Sequence, residues 1–165
     1  MKHSARYIAN QFIKHGFEKL DRPLTALSVM KLVYLAHAWN LAWYDQPLVE
    51  GRFEAWKLGP VHIDLRSATR PYGAEPITEL LELGFERVRT DRGARWQRVK
   101  APPLTDEEND TIYSVFDNYA RTNPIELAYL THDEAWRKAR RRRNKVLKDP
   151  EIQKCYQAKL DREAS

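Results

Sequence analysis

The sequence predicts a mainly α fold with a small antiparallel β-sheet (α+β), closed into a single helical domain over residues 1–165. Three observations predict it. Apolar residues recur at helical spacing along most of the chain, and each such stretch opens on a Ser, Thr, Asn or Asp suited to cap it. Residues 85–100 instead read FERVRTDRGARWQRVK, two strand-forming runs around an Asp91-Arg92-Gly93 turn. No internal repeat and no flexible linker divides the 165 residues, which suffice for one core.

The elements follow in order. Ser4 caps a first helix in which Ala5, Ile8, Ala9, Phe12 and Ile13 share a face, and Gly16 loosens or ends it. Thr25 caps a second, ALSVMKLVYLAHAWNLAWY, apolar nearly all round and therefore expected at the centre of the core. Asp45-Gln46-Pro47 breaks it. Residues 53–57 read as a short strand. Gly59-Pro60 then suits the opening of a short helix running to about Ser67, with Pro60 in its first turn. RPYGAEPI is a loop, and the 85–100 hairpin follows. Thr105 and Glu108 stand at capping-box spacing before Ile112, Val115, Phe116 and Tyr119. Asn123-Pro124 starts a short helix, and Thr131-His132-Asp133-Glu134 starts another that carries Trp136 and a basic helical segment at about 137–148. Asp149-Pro150 opens the last helix, with Ile152, Tyr156 and Leu160 on one side.

Composition narrows the function. A 42% apolar and 31% charged chain is ordinary for a globular protein. Its mean hydropathy of −0.70 would allow disorder, but five Trp, eight Tyr and five Phe argue for a packed core. No secretory pattern opens the chain, and the most apolar run, 27–43, contains Lys31, His37 and Asn40, which excludes a membrane span. The lone Cys155 excludes an internal disulfide and fits a reducing cytoplasm, the expected location. The net charge of +5 is local: eight basic and no acidic residues fall between 137 and 148, and the remainder is net −3.

The sequence shows no Gly-rich phosphate loop, H-E-x-x-H, G-x-S-x-G or Cys/His cluster at zinc spacing. His3 and His15 fall on a first helix expected to be exposed, and His37 in the buried helix reads as a hydrogen-bonded core histidine. His62 and His132, if joined by Glu54, would make a crude acid/base or metal site, although helix capping accounts for the Thr/Asp/Glu cluster around His132. Lys31 in the apolar helix can pair with Glu54, and a structural ion pair is favoured over a Schiff-base lysine. Trp56 and Trp136 suit core packing first and partner anchoring second. RKARRRRNKVLK can contact phosphates, occupy a helix C-terminus, or receive an acidic protein. Four consecutive arginines exceed what solubility needs, so a contact role is expected for them.

Taken in order, KLVYLAHAW, EAWKLGPV and LTHDEAW resemble the Panacea antitoxin domain, the family that includes phage-associated GepA-like and SocA-like proteins. The resemblance runs from about Ile8 to Tyr156. It implies a mostly helical, non-enzymatic protein without cofactor or metal, whose partner is a cognate protein toxin encoded nearby. Nucleic acid is the second reading, no membrane is involved, and the oligomeric state stays open. Lys31, Tyr34, Trp39, Glu54, Trp56, Lys57, Gly59, Pro60, Thr131, His132 and Trp136 occupy the motif positions, expected to be framework. FEAWKLGPVH would then be a corner turning a strand into a helix, with Trp56 buried. The hairpin, with Arg92 and Trp96, and the basic run, with Arg137, Arg140, Arg141, Arg142 and Arg143, lie outside the shared motif, and partner choice is expected there. No helix-turn-helix segment accompanies them, so operator binding is not expected.

Overall fold

Helix α2, Ala26–Tyr44, organises the fold in the computed structural model, which describes residues 2–164. The Thr25 hydroxyl accepts the Ser28 N–H at its start, and Asp45 ends it in the left-handed region at φ 54°. Val29, Leu32, Val33, Tyr34, Leu35 and Ala36 are all buried, because neighbours cover the helix on every side. Those neighbours are α1 (Ala5–Lys19), α4 (Asp106–Tyr119), α5 (Pro124–Leu130) and α7 (Asp149–Ala164). The predicted caps hold. Ser4 accepts from Tyr7 N, Thr105 and Glu108 form a reciprocal capping box, and Asn123 accepts from Ile125 N ahead of Pro124.

Two separate two-stranded antiparallel sheets complete the molecule: β1 (Phe53–Trp56) with β2 (Gly59–His62), and β3 (Phe85–Thr90) with β4 (Gly93–Arg98). Gly59-Pro60 therefore does not open a helix. It lies in β2, and α3 (Ile63–Thr69) begins only after His62, followed by a 3-10 turn at Arg70–Tyr72. Proline is tolerated there because Ala55, opposite Pro60, turns its N–H outward to Lys145 O, so this pair needs no donor from β2.

Three other expectations fail. His3 and His15 are buried: His3 Nε2 meets Glu108 Oε2 at 2.8 Å, and His15 packs on Tyr113 and Phe116 of α4. The basic segment is not one helix through 148. Helix α6, Glu134–Arg140, stops at Arg140, and 141–144 form a turn-rich loop. Trp56 is half-buried rather than enclosed. His37 does behave as read. Its Nδ1 accepts the Leu48 and Val49 N–H groups, so Nε2 carries the proton and donates to Asp149 at 2.9 Å.

Candidate functional site

The β1–β2 hairpin, FEAWKLGPVH in sequence, is held by its carbonyls. Arg140 Nη1 donates to Ala55 O at 3.1 Å, Trp136 Nε1 to Trp56 O at 2.8 Å, His132 Nε2 to Lys57 O at 3.0 Å, and Lys31 Nζ to Pro60 O at 2.9 Å. Three of these donors come from the chain between α5 and the end of α6, the fourth from α2. The outer edge of β1 is pinned as well, by Ala55 N to Lys145 O and Leu147 N to Phe53 O. A two-stranded hairpin alone is marginal in water, and this clamp fixes it.

The clamp explains why EAWKLGPV and LTHDEAW occur together. Gly59 sits at φ +107°, and a Cβ there would stand 2.5 Å from Thr131 Oγ1 and 3.1 Å from Lys31 Nζ. Thr131 is itself buried and donates to Ala128 O. Asp133 caps α6 through Oδ1 to Trp136 N, while its Oδ2 accepts the hydroxyls of Tyr34 and Tyr156 at 2.8 and 2.9 Å. One carboxylate thus ties α2, α6 and α7 together, and burial pushes both phenols well above their ordinary pKa. The sequence marks Asp133 as a cap. It gives no sign of the two tyrosines, which lie 99 and 23 residues away.

Lys31 does not meet Glu54. Its ammonium is fully buried with Pro60 O as its bonded partner, and burial lowers its pKa to about 7. Glu54 instead accepts from Trp56 Nε1 at 3.1 Å, and the Arg66 guanidinium lies 4.7 Å from the Trp56 ring centroid. No hydrogen bond or ion pair joins His62, His132 and Glu54. His62 Nε2 is committed to Glu50 O, and the described residues contain no His/Cys/Asp/Glu group suited to a metal. Trp39 stands apart from the clamp, bonded to Tyr119 and stacked on Trp43.

Three of the clamp donors, with Tyr129, also form a surface ladder. Tyr129 lies edge-on to His132 at 5.6 Å, His132 stacks on Trp136 at 4.0 Å, and Arg140 lies 5.6 Å from the Trp136 ring. Burial pushes the His132 imidazole below its ordinary pKa. Tyr129 is 69% exposed, Leu130 next to it and Leu58 at the hairpin turn are exposed too, and sequence reasoning named none of the three. Their signal was weak: Leu58 falls in the turn between strands, and Tyr129-Leu130 end a helix too short to show a stripe. Between the hairpin, α2 and α3 lies a pocket of about 410 Å³ lined by Leu27, Met30, Trp56, Leu58 and Arg66.

The arginine run divides. Arg142 donates to Val146 O and pairs with Glu151, Arg140 belongs to the clamp, and Arg137 bonds Glu134 at 3.3 Å. Arg141 and Arg143 are exposed. Arg92 and Trp96 are exposed on the β3–β4 hairpin, with no hydrogen bond, ion pair or ring contact to the run.

Residues 29–137 match the family described as antitoxin SocA-like, Panacea domain. Over 128 residues the chain is 47% identical to antitoxin SocA of Caulobacter vibrioides (strain NA1000 / CB15N), an alignment covering 78% of this chain and 64% of that protein. The chain thus matches just under two thirds of that relative's length. No solved structure matches it. Three of the four clamp donors, Lys31, His132 and Trp136, lie within the matched residues, whereas the fourth, Arg140, lies outside them with the rest of the run at 140–143 and α7. A match over most of the chain and a hairpin locked by its own motif residues lead to one conclusion: the chain belongs to the family of SocA-like antitoxin proteins built on the Panacea domain.

Proposed function

We infer that the protein is a cytoplasmic antitoxin that neutralises a cognate toxin, encoded nearby, by binding it directly and without chemistry of its own. The observation that carries this reading is the surface ladder of exposed Tyr129 and Arg140 with half-buried His132 and Trp136 between them, together with exposed Leu58 and Leu130. An exposed Tyr and Arg beside the rim of a half-buried Trp, with exposed apolar side chains around them, have the composition of an interface hot spot. The clamp holds that face rigid before binding, which lowers the ordering cost of association. Arg141 and Arg143 supply positive charge beside it and favour an acidic toxin surface.

The test pairs this protein with the product of the neighbouring reading frame. Wild type should restore growth on co-expression and co-purify with that product. Tyr129→Ala with Leu130→Ser should weaken capture at least about tenfold, with little change in melting temperature because both side chains are exposed. Capture unchanged in the double variant would move the contact elsewhere. Neither capture nor protection by wild type would end the antitoxin reading.

A further inference from the structure

The β3–β4 ribbon stands as a sheet of its own, with no third strand among the described residues. Side chains alternate between its faces, and the register puts Phe85, Arg87 and Arg89 on the same face as Arg98, Trp96 and Ala94. All of that face is exposed, Trp96 at 70% and Phe85 at 59%. Val88 and Gln97 of the opposite face are half-buried, and Glu86, the ribbon's one strand carboxylate, bonds Gln97 there. Among the described residues, the side chains of Phe85, Arg87, Arg89, Trp96 and Arg98 have no hydrogen bond, ion pair or ring contact.

We propose that this face binds single-stranded nucleic acid, with bases stacked on Phe85 and Trp96 and phosphates held by Arg87, Arg89 and Arg98. The pairs Phe85↔Arg98 and Arg87↔Trp96 are directly cross-strand, so each aromatic has an arginine opposite it, with Cβ atoms about 5 Å apart. The two pairs are two residues apart, about 6.8 Å along the strand, comparable to one extended nucleotide. The face is thus a checkerboard of flat apolar plates and cationic forks. A polynucleotide has the complementary repeat, a flat base and an anion in every unit. An acidic protein would need an apolar pocket beside a carboxylate at each step, with both desolvated together.

Edge protection alone does not account for the pattern. Arginines blunt a free strand edge, but exposed Phe and Trp between them work against that purpose. Charge is concentrated there as well. Residues 85–100 hold six basic and two acidic side chains, while the chain outside 85–100 and 137–148 holds 14 basic and 21 acidic. A polyanion is therefore repelled by most of the molecule and admitted at few places. Stacking needs unpaired bases, so single strands are favoured over duplex. This site is separate from the ladder and does not rest on the antitoxin reading.

The full chain is titrated by fluorescence anisotropy against labelled oligonucleotides of about twelve residues, enough to cover one binding groove. Single-stranded RNA, single-stranded DNA and a matching duplex are compared at low and physiological salt. Either single strand should bind, more weakly at higher salt, and the duplex should bind less. Trp96→Ala should weaken binding about tenfold, and Trp96→Phe should retain most of it. Replacing Arg87, Arg89 and Arg98 by Gln should flatten the salt dependence. Absence of binding at low salt, a preference for duplex, or binding unchanged by the ribbon variants would overturn the proposal. So would loss of binding in an Arg141→Gln, Arg143→Gln variant alone, or ribbon variants that lose toxin capture while wild type binds no oligonucleotide.

Discussion

Lys31 sets a pH dependence of stability that a buried ammonium imposes on its own. Folded, it titrates near 7, because burial penalises the charged form; unfolded, it titrates near 10.5. Between those values the unfolded chain holds more protons than the folded one. The Lys31 contribution is therefore fully present above the unfolded pKa and is lost as pH falls toward 7, at up to about 1.4 kcal/mol per pH unit. Lys31→Met removes the titrating group, so the variant should exceed wild type in denaturant stability near pH 7, and the gain should shrink steadily toward pH 10. A gain that stays constant across that window would show that the ammonium is not the cause.

At the scale of elements, the β1–β2 hairpin depends on a position where no side chain fits. Gly59→Ala meets both a positive φ and the Thr131 hydroxyl, and should cost roughly 2–5 kcal/mol. Gly73→Ala, at φ +55° and ψ −124° but with open space around it, carries the backbone strain without the clash and should cost less, about 1–3 kcal/mol, a contrast that thermal unfolding measures directly. The same hairpin marks how far the sequence was legible. Helices α1, α2, α4 and α5 were readable because Ser4, Thr25, Thr105 and Asn123 act on N–H groups two or three residues away. Gly59-Pro60 was misread because a proline at a helix start and a proline in a strand look alike locally. Lys145, 90 residues after Ala55 in the chain, decides between them. His3 and His15 were misplaced for the same reason, since their neighbours sit on α4. Of the candidate site, the motif residues were legible as framework, but the carbonyl clamp and the exposed Tyr129 and Leu58 arise only once α5, α6 and the hairpin meet.

Across the whole molecule, net positive charge is concentrated in two segments, 85–100 and 137–148, while the rest of the chain is net negative, and their arginines serve unequal ends. Arg142→Gln should lower stability by about 1–2 kcal/mol, because Val146 O and Glu151 lose their donor. Arg141→Gln with Arg143→Gln should leave the unfolding curve in place while slowing toxin association and flattening its salt dependence. Association rates at two salt concentrations, set beside a denaturant titration, separate the two effects. The loop that carries these arginines leaves α6 where Arg140 grips Ala55 and rejoins the fold where Leu147 N bonds Phe53 O, so a single strand anchors both of its ends. With the endpoints fixed, lengthening the loop adds little closure entropy, about 0.6 kcal/mol for each doubling. The exposed Arg143 therefore marks a natural splice point, where a foreign epitope or label can be grafted so long as Arg142 keeps Val146 O and Glu151 and Asn144 keeps Val146 N.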